Sequence, residues 1–151
     1  MLSICPFLLR LTRMKTAIFL EAQAHYYERA LQEIQQGKKR SHWMWFIFPQ
    51  CQGLGKSKMA QQFAIENVTE AKNYLQHPIL GQRLIAITTE LLKHRDTDPL
   101  QILGFPDNLK LQSCMTLFSA VSTDENNVFK QVLDLFYDGK MCQKTMDFLS
   151  Q

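Results

Sequence analysis

From Ile18 to Gln36 the apolar positions Phe19, Tyr26, Tyr27, Ala30, Leu31 and Ile34 recur at steps of three and four, the spacing of a surface helix with one buried face. Gly37 and the cations Lys38, Lys39 and Arg40 follow, which is a helix-stop signature. The periodicity then gives way to a nearly unbroken apolar run. Between Ser41 and Gln50 stand Trp43, Met44, Trp45, Phe46, Ile47 and Phe48, and Pro49 closes it. Ser41 is placed to cap a short helix over residues 42–48, which Pro49 ends because its ring removes a backbone donor and clashes with the preceding turn. A helix that is apolar all round belongs in the centre of a bundle. A buried strand is the alternative over so few residues. No alternating or β-branched run elsewhere could pair with it, which would leave its backbone groups without partners.

Helical signals fill the rest of the chain. After Gly53-Leu54-Gly55, Ser57 predicts a capped helix through Ile65, and Thr69 with Glu70 predicts another through Gln76 that ends near His77-Pro78. Leu80, Leu84, Ile87, Leu91 and Leu92 stripe residues 79–94, and Asp98-Pro99 reads as an N-cap with proline at the first helical position, in a turn closed by Gly104. Pro106-Asp107 introduces a long segment with Leu109, Leu111, Met115, Leu117, Phe118 and Val121. Val128, Phe129, Val132, Leu133 and Phe136 stripe a helix stopped by Gly139, and residues 141–149 form a terminal one. The predicted fold is all-α, a multihelical single-domain bundle with a short buried central helix. With 151 residues, 46% of them apolar, one core is large enough without metal or disulfide help.

Residues 1–13 stand apart. They form an apolar run with Arg10 and Arg13 behind it, a poor match to a secretory signal and too short to cross a bilayer. Met14 opens the sequence just before the first patterned helix, so residues 1–13 read as a tail, with translation starting at Met14, and 14–151 as the domain. Without the two arginines of the tail the formal charge of +3 falls to +3 − 2 = +1. A nearly neutral body argues against a nucleic-acid backbone as partner, and the dense basic run Lys38-Lys39-Arg40 reads as a solvated linker. Cys5, Cys51, Cys114 and Cys142 are far apart, with no CxxC or Cys/His spacing. They read as reduced thiols of a cytoplasmic protein, with no metal site and no cofactor implied.

Four stretches carry a resemblance: Gly37-x-Lys39-x-Ser41-His42-Trp43-Met44-Trp45-Phe46-Ile47-Phe48-Pro49-Gln50, Gly53-Leu54-Gly55-x-Ser57, His77-Pro78-x-Leu80-Gly81, and Asp107-x-x-Lys110-Leu111-x-Ser113-x-Met115-Thr116-Leu117-Phe118. On these, residues 18–149 resemble a bacterial family of small all-helical proteins described as a domain of unknown function and sometimes labelled calpastatin. The resemblance implies a multihelical fold around a short buried helix and brings no activity with it. This chain has Cys114 where the family usually has a serine, and Phe63 where a tyrosine is common.

The candidate chemistry gathers at the same stretches. Gly55-Lys56-Ser57 looks like the end of a phosphate-binding P-loop, but Gln50 stands where the first glycine is needed and no βαβ pattern follows, which excludes a nucleotide triphosphatase. What survives is an anion held by Gly53, Gly55 and Ser57 at a helix start, beside the plainer reading of a glycine loop with a serine cap. His42 is placed either as a buried, satisfied ring or as a general base. Trp43 and Trp45 point to different sides of their helix, one for the core and one to stack on a planar ligand. Asp107, Lys110, Ser113 and Thr116 share one helical face. If that face meets Ser41, His42, Gln50 and Ser57, a polar cleft with aromatic walls results. The function expected is therefore binding or hydrolysis of a phosphorylated or nucleotide-derived small molecule, with His42, Asp107 and Lys110 handling protons and Ser41, Trp43, Trp45, Gln50, Gly53, Gly55, Ser57, Ser113 and Thr116 as ligand contacts. The alternative from another class is a non-catalytic helical protein-interaction module.

Overall fold

The computed structural model describes the backbone of residues 6–151 and the side chains of residues 15–151. Nine helices are found there: α1 (Pro6–Gln35), α2 (Met44–Ile47), α3 (Lys58–Gln62), α4 (Val68–Gln76), α5 (Leu80–Leu91), α6 (Pro99–Leu103), α7 (Asp107–Val121), α8 (Val128–Phe136) and α9 (Gln143–Leu149). The all-α expectation holds. Among the described residues the only extended pairing is a single parallel bridge between Cys51 and Ile65. No helix there is long and apolar enough to cross a membrane.

The aromatic run forms the predicted central element, though as one turn rather than two. Trp43, Met44, Phe46, Ile47 and Phe48 are all buried against α1, and the ring of Phe46 meets that of Phe63, which in turn meets Phe19 of α1. Phe118 of α7 joins Tyr74 of α4 to Phe129 of α8, so an aromatic chain crosses the bundle. Around it α7 lies against α4, α6, α8 and α9, while α5 lies against α1, α4 and α8.

Several element ends differ from the sequence expectation. The first helix begins at Pro6, not Ile18, so residues 6–13 of the expected tail are helical backbone; residues 1–5 lie outside the described ones. Ser41 does not cap α2, which has no side-chain cap. Asn67, not Thr69, caps α4 by accepting the Glu70 amide. Ser57 does cap α3, accepting from the Ala60 amide, but α3 stops at Gln62. Asp98 and Gln101 close a reciprocal capping box on α6, with Pro99 in its first turn.

The corner between α4 and α5 is compact. His77 Nδ1 accepts the amides of Ile79 and Leu80. Gly81 follows, and a Cβ at that position would collide with the carbonyl oxygen of Leu75.

Candidate functional site

A single turn of helix cannot satisfy its own backbone ends. Two buried side chains of α1 supply what α2 lacks. Gln23 Nε2 donates to the Phe46 carbonyl at 2.8 Å and to Tyr74 Oη at 3.0 Å, and its Oε1 accepts from Arg83 at 3.3 Å. Glu33 receives the other end: its Oε1 accepts the amides of Arg40 (2.7 Å) and Ser41 (3.0 Å) and the indole N–H of Trp43 (2.9 Å), while Oε2 accepts the Ser41 hydroxyl at 2.7 Å. Burial alone would raise this carboxyl. The donors, led by the Arg40 amide and the Ser41 hydroxyl, outweigh burial and hold it at about 2, against an ordinary 4.5.

Neither Gln23 nor Glu33 was among the candidate residues. A signal existed, since Gln23 stands on the apolar stripe between Phe19 and Tyr27, where a polar side chain must be buried. Ser41 and Trp43, expected as ligand contacts, have their polar atoms turned inward onto Glu33.

A second carboxylate organises the outward side. Asp107, at the start of α7, is 2.9 Å from Lys39 Nζ through Oδ2 and 3.4 Å from Lys110 Nζ through Oδ1. Each lysine also lies over an indole: Lys39 Nζ is 5.1 Å from the Trp43 ring centre and Lys110 Nζ is 5.4 Å from that of Trp45. Lys39 is thus no solvated linker residue. Its side chain is only 10% exposed, and its amide donates to the Ile102 carbonyl at 2.7 Å, which ties the linker to α6. Trp45 and Lys110 are half-buried at the rim, and Arg40 and His42, in the linker before Trp43, are exposed. His42 is therefore not the buried ring that packing would have required.

The remaining candidates lie elsewhere. Ser113 and Thr116 do share a face of α7, but that face meets the segment leading into α9. Thr116 Oγ1 accepts the Cys142 amide at 2.9 Å, and the Ser113 hydroxyl lies 3.3 Å from Cys142 Sγ. Each hydroxyl also donates back to its own helix, to Leu109 and Gln112 carbonyls. Burial pushes the Cys142 thiol up, but Ser113, Thr145 and the amides of Thr145 and Lys144 bring it below the usual thiol range. Gly53 is exposed, at φ 93°, on a cavity of about 350 Å³ shared with Lys144 and Asp147. Gly55 packs against Ala60, Ser57 serves α3, and the Gln50 carbonyl accepts the Ile65 amide, so these residues build a loop. The single cleft expected from the sequence is thus divided. Trp43, Trp45, Asp107 and Lys110 come together with Lys39, while no described hydrogen bond or ion pair joins them to Ser57, Ser113 or Thr116. Among the described residues no group of three or more His, Cys, Asp or Glu side chains could hold a metal ion.

Comparison with known proteins gives two matches. Residues 13–149 match the family described as "Protein of unknown function (DUF1810)". The crystal structure of the conserved hypothetical protein Rv1873 from Mycobacterium tuberculosis is similar in fold, with a TM-score of 0.86 and 40% sequence identity, over 89% of this chain and 96% of that one. No curated protein matches.

Proposed function

Starting from a chain that belongs to the DUF1810 family, we propose that it binds a phosphorylated or nucleotide-derived small molecule at the rim formed by Lys39, Trp45, Asp107 and Lys110. One observation carries this reading: two ammonium groups share one carboxylate beside a half-buried indole. Two positive charges against one negative leave an excess of one within this trio. Each lysine retains donors beyond the one directed at Asp107. A phosphate oxygen suits those donors, and the Trp45 ring suits a planar group attached to the phosphate.

The reading is one of binding. Asp107 has both oxygens engaged by lysine ammonium groups. His42, exposed in the linker one residue before Trp43, has a ring N–H to offer an anion.

Thermal denaturation with inorganic phosphate, nucleotides, dinucleotides and sugar phosphates tests the proposal. A ligand at about 100 times its Kd raises stability by about 2.7 kcal/mol, and the rise should disappear in Lys110→Gln. No stabilisation by any member of the panel, or an equal rise in Lys110→Gln, would overturn it. A second reading, the helical interaction module, draws on Leu100, Phe105 and Leu109, which stand exposed around the start of α7, Phe105 at 75%. Sedimentation of the wild type and Phe105→Ser over a range of concentrations tests that reading in its self-associating form.

A further inference from the structure

A cavity of about 420 Å³ opens on another part of the molecule, between α4, α5 and the connection from α7 to α8. Its size falls within the range of small-molecule pockets, roughly 300–1,000 Å³. The floor is apolar: Leu75 of α4, Ile85 of α5, Val121 of α7 and Phe129 of α8. Ile85 is 44% exposed there, and Leu75 and Val121 beside it are only partly buried.

The rim carries the polar groups. Lys72 of α4 lines the cavity, as does the first turn of α8. Asn127, the N-cap, accepts the amide of Lys130, so the amides of Val128 and Phe129, the first two of the helix, have no acceptor in the cap. The acidic residue on the rim, Asp124, turns its carboxylate onto the Asn126 amide at 2.9 Å. An ammonium group, the positive end of a helix and an apolar floor within one cavity define the complementary molecule.

We propose that this cavity binds an apolar monocarboxylate, an aliphatic or aromatic acid. Its hydrocarbon part lies on Leu75, Ile85, Val121 and Phe129, and its carboxylate is held by Lys72 and the first amides of α8. This site is separate from the rim of Lys39 and Lys110 and does not depend on it.

The test is titration of the ¹⁵N-labelled protein with octanoate and 3-phenylpropanoate, with the alcohols of the same skeletons as controls. Saturable shifts of the Val128 and Phe129 amides are expected for the acids. Lys72→Gln should weaken binding about tenfold, the order expected when a charge-assisted contact is lost, and Ile85→Trp should abolish it by filling the cavity. Lys110→Gln should leave it unchanged. Because Ile85 is partly exposed, Ile85→Trp keeps a core in which to fold, and its circular dichroism spectrum verifies that. Equal binding of acids and alcohols, undiminished binding in Lys72→Gln or Ile85→Trp, or no saturable shift at about 10 mM acid would each overturn the proposal.

Discussion

Glu33 and Asp107 are both carboxylates at the edge of the aromatic turn, and they are used in opposite ways. Glu33 faces inward and accepts four hydrogen bonds from the loop it organises: two amides, a hydroxyl and an indole N–H. Asp107 faces the rim and is paired with two cations. The first arrangement closes on itself, because every donor meets the carboxylate. The second stays open, because an ammonium group has three N–H donors and a single salt bridge does not use them all. Glu33 thus holds a loop in place, whereas the lysines of Asp107 keep the N–H donors on which the proposed binding rests.

The largest effect that would separate the two is expected from Glu33→Ala. It leaves the buried Trp43 N–H and the loop amides without acceptors and should cost about 4 kcal/mol, read as a fall in Tm on the order of 10 °C. Glu33→Gln, which keeps one carbonyl oxygen for the amides, should cost less. Acid should reproduce part of the effect. A carboxyl held at about 2 in the folded chain and near 4.5 when unfolded stabilises the fold above about pH 4.5, and the stabilisation is lost as the pH falls towards 2. The loss is on the order of 3 kcal/mol, and chemical denaturation across that window should show it for wild type and not for Glu33→Gln.

Asp107→Asn comes next. It leaves the nearly buried Lys39 without its counter-charge and should cost about 2 kcal/mol in denaturant titration. Ser113→Ala and Thr116→Val should each cost about 1 kcal/mol and leave the response to phosphorylated ligands intact, since these hydroxyls serve Cys142. The smallest stability change belongs to Lys110→Gln, below about 0.5 kcal/mol for a partly exposed i,i+3 pair. If Lys110→Gln destabilised the protein as strongly as Asp107→Asn, the rim would be a structural clamp and the comparison would fail.

The helical architecture was legible because stripes of period 3.6 and punctuation by glycine and proline act locally. Gly37, Asp98-Pro99 and Gly104 do in the structure what their residue types predict. The apolar turn before Pro49 was legible because such a run has no stable place but the interior. The site was harder, since helical spacing shows which side chains share a face and not what that face meets. Asp107, Lys110, Ser113 and Thr116 illustrate this: the first turn of α7 reaches the linker and the tryptophans, and the next turns reach Cys142. Lys39 was misread because a lysine in a basic run is usually solvated, whereas here an aspartate some seventy residues on in the sequence draws it inward. Glu33 was missed because a glutamate late in a helix looks like surface until the loop beyond folds back over it.

The corner at Gly81 has a mechanical consequence for the acid-binding cavity. Leu75 and Ile85 form one wall, and the chain between them is clamped where the Gly81 backbone rests on the Leu75 carbonyl, an approach that only hydrogen in place of a side chain permits. On that side the cavity is bounded by a close backbone contact. Ser122, Thr123, Asp124, Asn126 and Asn127, which line the cavity from the connection between α7 and α8, carry short polar side chains and an Asx turn in place of helical scaffolding.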